Sequence, residues 1–303
     1  MGEVPRSIAA RPLRSLLFAP ANEPRKTEKL AQCDADAIVL DLEDAVAKEH
    51  KVAARAIAKA ALPGLAGPIR TVRVNAFDTG LTPDDVAGVV CADLDAIILP
   101  KVESPQDLRR LDVMLTEAEQ LAGLPHGHVQ VIALVETCVG IAAAGDIARA
   151  SARLGQIAFG SGDLGKDLNL PTMLGDHTPA LAYGRAKLVY DCRAAGLPGP
   201  LDGPHLQVRD LEALERECLA ARALGHRGKV CIHPGQVAIA NRVFGPAAED
   251  IAYAHQVITE FRAAEARGAA SIMVGGLFVD YPIVDKAERL LALAESIAAR
   301  GKN

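Results

Sequence analysis

Short runs of apolar, largely β-branched residues recur along the chain and alternate with longer, more polar segments. The intervening segments are long enough for crossover connections, so the runs predict parallel β-strands. A wide gap after the sixth run contains Pro200-Leu201-Asp202, which predicts a weak seventh strand. The other predicted strands are residues 15–19, 37–40, 69–74, 96–99, 129–135, 157–159 and 230–232.

Helix start and stop signals lie in two of the segments between these strands. Thr178-Pro179 combines an N-cap residue with a proline at the first helical position, and Gly196 supplies a stop. Asp210 begins a second amphipathic helix, which ends at Gly225. Eight strands alternating with helices predict an α/β fold of the (β/α)8 barrel type, with a doubly wound open sheet as the alternative.

The chain changes character after the eighth predicted strand. Residues 250–267 predict an amphipathic helix, residues 268–276 a small, flexible segment, and residues 277–282 an extended apolar stretch. Pro282 then begins a last helix. The expected parts of the chain are a catalytic barrel, residues 1–245, and a C-terminal helical extension that acts as lid and subunit contact, residues 246–303.

Polar residues follow nearly every predicted strand, at positions where a buried strand would not place them. In a (β/α)8 barrel the carboxyl ends of all strands meet at one rim, which is where such enzymes carry out chemistry. We therefore expect the active site at this rim. The sequences at these strand ends are Asp41-Leu42-Glu43-Asp44, Arg73-Val74-Asn75, Pro100-Lys101, Glu136-Thr137, Gly160-Ser161-Gly162-Asp163, Asp202 and His233-Pro234.

Composition excludes several other classes of protein. Hydrophobic residues make up 50% and charged residues 23% of the chain, which is ordinary globular usage, and the net charge of −5 is not that of a nucleic-acid-binding protein. No apolar stretch is long enough to span a membrane. The six cysteines show no metal-ligand spacing, so we interpret them as reduced thiols of a cytoplasmic protein without thiol catalysis.

Glu136 and Asp163 end neighbouring predicted strands, where two carboxylates would repel each other. A divalent cation relieves such repulsion, and Mg²⁺ typically takes one or two carboxylates together with waters and substrate oxygens. The alternative is that each acid only caps the helix that follows it. The two acids together favour a Mg²⁺ site with Glu136 and Asp163 as ligands.

Arg73 lies inside a predicted strand among apolar neighbours, where an unpaired guanidinium is costly. It is suited to bidentate binding of a substrate carboxylate or keto oxygen. The alternative is a structural salt bridge to Glu43 or Asp44. We expect both roles together, with these two acids orienting the guanidinium and holding waters of the metal.

Two other strand ends carry weaker signals. The backbone N–H groups of Gly160-x-Gly162-Asp163 are suited to an anion, although this spacing is not a dinucleotide motif. Lys101 has the chemistry of a Schiff-base lysine, but a lone lysine at a strand end is more often an ion-pair partner. His233 is open to an acid–base role or to a structural hydrogen bond.

Eight motifs follow one another in order along nearly the whole chain. With them the chain resembles the citrate lyase beta-subunit-like (CitE-like) proteins of the HpcH/HpaI aldolase superfamily, a group that includes the malyl-CoA and citramalyl-CoA lyases. The motifs are Arg14-Ser15-Leu16-Leu17-Phe18-x-Pro20, Leu40-Asp41-Leu42-Glu43-Asp44-Ala45-Val46, Val72-Arg73-Val74-Asn75, Leu99-Pro100-Lys101, Glu136-Thr137, Gly162-Asp163, Gly228-Lys229-Val230-Cys231-Ile232-His233-Pro234 and Val279-Asp280-Tyr281-Pro282.

The resemblance implies a (β/α)8 barrel that forms trimers or dimers of trimers. It implies Mg²⁺ held by Glu136 and Asp163, Arg73 on the keto-acid or hydroxy-acid oxygens, and the backbone at Gly162-Asp163 on the substrate carboxylate. It also implies that Arg14 lies near the nucleotide portion of an acyl-CoA, and that Asp280 is a lid acid reaching the site of an adjacent subunit.

The function that follows is Mg²⁺-dependent carbon–carbon cleavage or formation of a 3-hydroxyacyl-CoA, such as malyl-CoA or citramalyl-CoA, with acetyl-CoA and an α-keto acid as the other side of the reaction. Asp280 is the candidate for proton transfer at the thioester α-carbon. The alternatives are a citrate lyase beta subunit acting on a carrier-protein thioester, a pyruvate-type aldolase, and a non-catalytic barrel scaffold.

Overall fold

The computed structural model describes residues 7–65, 67–171 and 178–300. Eight parallel strands close into a barrel in which each strand pairs with its neighbours in chain order and the last pairs with the first. The predicted (β/α)8 barrel is therefore confirmed. Its strands are β1 (Ser15–Pro20), β2 (Ala37–Asp41), β3 (Ile69–Arg73), β4 (Ala96–Leu99), β5 (Gln130–Val135), β6 (Leu154–Phe159), β7 (Leu201–Asp202) and β8 (Gly228–Cys231).

Helices follow the strands and pack around them. The helix predicted to begin at Asp210 does so, because the Asp210 carboxylate accepts a hydrogen bond from the Ala213 N–H, and it ends at Gly225 in a left-handed conformation. The helices of the described residues are α1 (Pro24–Leu30), α2 (Lys51–Ala61), α3 (Thr82–Val89), α4 (Pro105–Leu121), α5 (Cys138–Ile147), α6 (Ser161–Asp167), α7 (Thr178–Ala194), α8 (Leu211–Leu224), α9 (Val237–Phe244), α10 (Ala248–Glu265) and α11 (Tyr281–Arg300).

Alternation along the strands divides the buried apolar residues into two layers. One cluster packs between the barrel and its helices and includes Leu17, Leu40 and Val72. Because successive side chains of a strand point to opposite faces, every second residue belongs to the interior instead. The interior cluster contains Leu16, Ala37, Val39, Ile69, Ala96, Ile98, Ile132, Leu134, Ala158, Leu201 and Val230.

The segment before β1 packs at the amino-terminal end of the barrel. Ile8 belongs to the interior cluster, and its N–H donates to Gln130 Oε1 over 2.6 Å. Arg227 Nη1 and Nη2 donate to the carbonyls of Ala9 and Arg11. A Cβ on Gly155, the second residue of β6, would lie 2.4 Å from Ile8 Cγ1, so only a glycine there leaves room for this segment.

A cluster of buried charges joins β7 and β8 to the helices outside them. Lys229 Nζ lies 2.6 Å from Asp202 Oδ2, and Arg185 Nε on α7 lies 2.7 Å from Asp202 Oδ1. Asp202 and Lys229 are fully buried. The prediction that Asp202 joins the polar rim is therefore wrong. Leu201 faces the barrel interior, and because neighbouring side chains of a strand point to opposite faces, the Asp202 side chain points to the helix layer.

The chain divides into two compact units, Met1–Asn241 and Arg242–Asn303. The second unit combines α10, α11 and an antiparallel hairpin of β9 (Ile272–Val274) and β10 (Leu277–Val279) around its own apolar core. Residues 268–276, for which the sequence predicts a small, flexible segment, contain β9. No helix of the described residues has the length and apolar character needed to cross a membrane.

The buried cluster predicts an asymmetric response to matched substitutions. Asp202→Asn leaves Arg185 without its acidic partner and Lys229 with only the partly exposed Glu217, and should lower the free energy of unfolding by about 3–5 kcal/mol, measured by urea denaturation. Asp93→Asn removes the half-exposed partner of Arg70 and should cost no more than about 1 kcal/mol. Equal losses in the two variants would contradict the assignment of Asp202 to a buried structural cluster.

Candidate functional site

Arg73 at the end of β3 is held by a bidentate ion pair with Asp41 at the end of β2. Arg73 Nε lies 2.7 Å from Asp41 Oδ1, and Nη2 lies 2.7 Å from Oδ2. The two residues are direct partners in the β2–β3 register, and both lie on the interior-facing side of their strands. Sequence reasoning missed Asp41 as this partner, although its position at the end of a strand next to Arg73 was a usable signal.

The two acids that were predicted to orient Arg73 lie on its remaining side. Glu43 Oε2 is 2.9 Å from Arg73 Nη1, whereas Asp44 Oδ2 is 3.6 Å away on a side chain that is 62% exposed. The Phe18 ring lies 5.1 Å from the guanidinium carbon. Although burial opposes the charge, the hydrogen bonds and charges of Asp41 and Glu43 raise the pKa of Arg73 above its usual range.

Glu136 follows β5 and is buried at the same rim. Its Oε1 accepts the Lys101 N–H over 2.9 Å. A Cβ on Gly160 would lie 2.4 Å from Glu136 Oε2, so the glycine after β6 leaves space for this carboxylate. Burial first, and then the charges of Asp163 and Glu43, raise the pKa of Glu136 to about 8.

Gly162 and Asp163 lie in the first turn of the short helix α6. Backbone N–H groups in a first turn have no partner within the helix, and nothing lies within 4 Å of where a Cβ on Gly162 would stand. Asp167, at the other end of α6, accepts the Cys138 N–H at the start of α5. This bond ties the helix that carries Asp163 to the helix that follows Glu136.

Lys101 stands between the Arg73 group and Glu136. Its ammonium lies 3.4 Å from Glu43 Oε1, which favours the ion-pair interpretation of this lysine over a Schiff base. Although burial opposes it, the Glu43 charge raises the pKa of Lys101, so the amine stays protonated and is a poor nucleophile. Burial raises the pKa of Glu43 to about 7 against the opposing charge of Arg73.

Lys51 in α2 is a contributor that sequence reasoning did not find. Its ammonium donates to the carbonyls of Leu42 and Glu43 over 2.9 and 2.8 Å, and to Asn75 Oδ1 over 2.6 Å. It therefore fixes the loop that carries Glu43 to the loop after β3. No local pattern marks this lysine, because its partners are backbone carbonyls and an amide from another strand end.

The structure does not bring Arg14 to this rim. Arg14 precedes β1, at the opposite end of the strand, and its Nε and Nη2 lie 2.8 Å from the two oxygens of Asp36. The geometry gives its assignment to substrate binding no support, because a guanidinium bound in this way at the amino end of β1 lies across the barrel from Glu136 and Asp163.

Asp280 belongs to the second compact unit, between β10 and α11. The neighbouring side chains of Phe278 and Tyr281 are 61% and 51% exposed within one chain. Val279, directly before Asp280, is buried. The role of Asp280 in proton transfer stays a prediction.

The remaining sequence candidates have simple surroundings. His233 Nδ1 accepts the Gly235 N–H, which is a local structural bond. All six cysteines are free, and burial raises the pKa of Cys192, Cys218 and Cys231 to about 12. Within the described ranges, no three His, Cys, Asp or Glu side chains are grouped as ligands for a metal ion, so any site here rests on fewer protein ligands.

The similarity to known proteins covers nearly the whole chain. The family model described as HpcH/HpaI aldolase/citrate lyase matches residues 14–234. The chain is 36% identical over 294 residues to a (3S)-malyl-CoA thioesterase of Cereibacter sphaeroides, which covers 96% of this chain and 98% of that protein. It is 33% identical over 310 residues to an L-malyl-CoA/beta-methylmalyl-CoA lyase of the same organism, covering 96% of this chain and 97% of that protein.

A solved structure of similar sequence shares the fold. CitE from Mycobacterium tuberculosis, in complex with magnesium, acetoacetate and coenzyme A, superposes with a TM-score of 0.73 at 30% identity, covering 95% of this chain and 100% of that chain. On the matching family model, the near full-length relatives and the shared barrel, the chain belongs to the HpcH/HpaI aldolase/citrate lyase family of lyases.

Proposed function

We propose that this protein is a Mg²⁺-dependent lyase that cleaves or forms a 3-hydroxyacyl-CoA, such as malyl-CoA or citramalyl-CoA, with acetyl-CoA and glyoxylate or pyruvate as the cleavage products. The observation that carries the proposal is the placement of a fixed guanidinium, Arg73, at the same barrel rim as the buried carboxylate of Glu136. Anion recognition and cation binding are thus available at one place.

The donor set fits Mg²⁺. Glu136 and Asp163 supply hard oxygen ligands, and two carboxylates are what this ion usually takes from a protein. Without a cation the carboxyl of Glu136 holds its proton up to a pH of about 8, which marks a site with uncompensated negative charge. When bound, Mg²⁺ would polarise the substrate oxygens and stabilise negative charge on them.

Arg73 is our candidate for binding the oxygens of the keto-acid portion. Asp41 fixes one edge of its guanidinium, so the group is oriented before substrate arrives. A preorganised donor of this kind stabilises charge that develops during reaction, and loss of one such contact typically costs about 10²–10³ in rate.

Cleavage requires two proton movements that balance. The substrate hydroxyl loses a proton as its carbon becomes a carbonyl, and Glu43, whose pKa lies at about 7, is suited to accept it. The broken carbon–carbon bond leaves its electron pair on the thioester α-carbon, and Asp280 is our candidate for delivering a proton there. The reverse direction exchanges the two roles.

Two alternatives differ in the products or in the carrier. The relative named (3S)-malyl-CoA thioesterase favours hydrolysis of the thioester as a second candidate, with free CoA and malate as products. A citrate lyase beta subunit would act on a carrier-protein thioester and would co-purify with other subunits. We favour CoA because a relative with the same barrel is known in complex with coenzyme A.

We further propose a homo-oligomer, a trimer or a dimer of trimers, that acts in the cytoplasm. Six free thiols suit a reducing compartment. The exposed side chains of Met273, Leu277 and Phe278 around the hairpin of the second unit suit a subunit contact.

A substrate panel tests the proposal directly. Malyl-CoA or citramalyl-CoA with Mg²⁺ should yield acetyl-CoA plus glyoxylate or pyruvate, followed by mass spectrometry, while the free acids should be inert because the thioester carbonyl stabilises the enolate. Chelation should abolish turnover and added Mg²⁺ should restore it, and Glu136→Ala and Asp163→Ala should each be inactive but folded. Free CoA and malate as the sole products would identify a thioesterase instead.

The raised pKa of Glu136 predicts that the difference in stability between Glu136→Gln and wild type depends on pH. The pKa of Glu136 in the folded, metal-free protein, about 8, exceeds the value of about 4.3 in an unfolded chain. Stability from this group is therefore present below about pH 4 and is lost as the pH rises towards 8. With chelator present, the melting temperature of the variant minus that of wild type should grow from pH 5 to pH 8.

Glu119→Gln is the matched control with the opposite sign. Glu119 is equally buried, but hydrogen bonds from Arg153 and from two backbone N–H groups lower its pKa although burial opposes this. Its removal should therefore lower the melting temperature at pH 7. If the melting-temperature difference for Glu136→Gln does not grow from pH 5 to pH 8, or grows equally for Glu119→Gln, the interpretation of Glu136 as an uncompensated carboxyl is wrong.

Mixed oligomers test whether Asp280 completes the site of a neighbour. Asp280→Asn alone should lower activity by about 10²-fold or more, because it removes the proposed proton-transfer group. Glu136→Ala alone should be inactive, because it removes a proposed metal ligand. After the two variants are unfolded and refolded together at equal amounts, about one site in four should combine an intact barrel with an intact Asp280. Activity should return to roughly that fraction of refolded wild type, because each such site needs one intact contribution from each of two chains.

The controls are each variant refolded alone and wild type refolded in the same way. If wild type regains activity and the mixture stays inactive, Asp280 acts within its own chain or not at all, and the intersubunit lid is wrong.

A further inference from the structure

Lys101 is one of two non-glycine residues in the described ranges with a left-handed backbone, at φ 51°. The other is Asn169, a residue type that often adopts this conformation. A lysine there is strained, and such strain persists only where the surroundings impose it. Contacts at the end of β4 must therefore impose this backbone conformation on Lys101.

The β4–β5 ladder supplies the cause. The Asp95 carbonyl accepts a hydrogen bond from Gln130 at β5, and the Ile98 carbonyl accepts one from Val74 after β3, so alternate residues of β4 bond to β5. Leu99 pairs with Ala133, so a regular ladder would next join the Lys101 N–H to the Leu134 carbonyl, but that carbonyl accepts the N–H of Val102 instead. Lys101 is therefore an extra residue that bulges out of the ladder, which resumes at Val102.

The far side of the bulge is fixed as well. The Val102 carbonyl lies so close to α5 that a Cβ on Gly140 would stand 2.4 Å from it. With Val102 anchored on both sides, the left-handed turn at Lys101 points its N–H away from the sheet and onto Glu136 Oε1, 2.9 Å away.

We propose that Lys101 is a positioning residue for the metal ligand Glu136, and that it acts through its backbone N–H. This inference rests on the proposed function, which makes Glu136 a Mg²⁺ ligand. The N–H holds one carboxylate oxygen, so the carboxylate is oriented before the ion arrives, as partners of metal ligands commonly do. The ammonium explains why lysine rather than glycine stands here, since it faces Glu43.

Three variants that all lack the ammonium separate the backbone from the side chain. Lys101→Gly and Lys101→Asn adopt the left-handed conformation readily, whereas the β-branched Lys101→Val does not. The test is calorimetric titration of the metal-free, full-length protein with Mg²⁺, without substrate, together with the melting temperature of each variant. Lys101→Thr, also β-branched but polar, replaces the valine variant if that chain does not fold.

The glycine and asparagine variants should bind Mg²⁺ at least as tightly as wild type, because removing a positive charge near the carboxylates favours a cation. The valine variant should bind about 10-fold more weakly or worse. Equal dissociation constants for the glycine and valine variants, with wild-type binding intact, would overturn the inference alone. A wild type that binds no Mg²⁺ would overturn both this inference and the metal in the proposed function.

Discussion

The bidentate pair of Arg73 and Asp41 is the interaction on which the candidate site depends. It joins the carboxyl ends of two adjacent strands and places a permanent cation inside the mouth of the barrel. A buried guanidinium needs such a partner, and Asp41 in turn accepts backbone N–H groups from Glu43 and Ala45. The loop that carries Glu43 is thereby folded back over Arg73.

Around this pair the rim holds more negative than positive charge. Burial raises the pKa of Glu43 and of Glu136, the charges of Asp163 and Glu43 raise the pKa of Glu136 further, and Lys101 and Arg73 offset only part of this rise. Buried negative charge of this kind is costly to the folded chain, and the proposed Mg²⁺ site rests on it. The buried cluster at Asp202 differs in its charge balance, since Asp202 has two cations, Arg185 and Lys229, within hydrogen-bond distance.

Sequence reasoning located most of this rim because its logic is local. The residue that follows an apolar strand lies at the carboxyl end of that strand in any parallel barrel, so Arg73, Glu136 and Asp163 were predicted at one rim without knowledge of their contacts. The same logic failed for Asp202, whose side chain faces the helix layer. β7 has only two residues, which is too short an apolar pattern to show which of them faces the barrel interior.

By itself the sequence determined the eight-stranded barrel, most strand positions and the residue types that stand at the strand ends, since alternation and helix signals act over a few residues. Only the tertiary structure decided which groups meet. The pairing of Arg73 with Asp41, the left-handed turn that points Lys101 at Glu136, and the separation of Arg14 from the rim all depend on strand register and on contacts between distant segments. Those contacts form only when the barrel closes, and no short stretch of sequence encodes them.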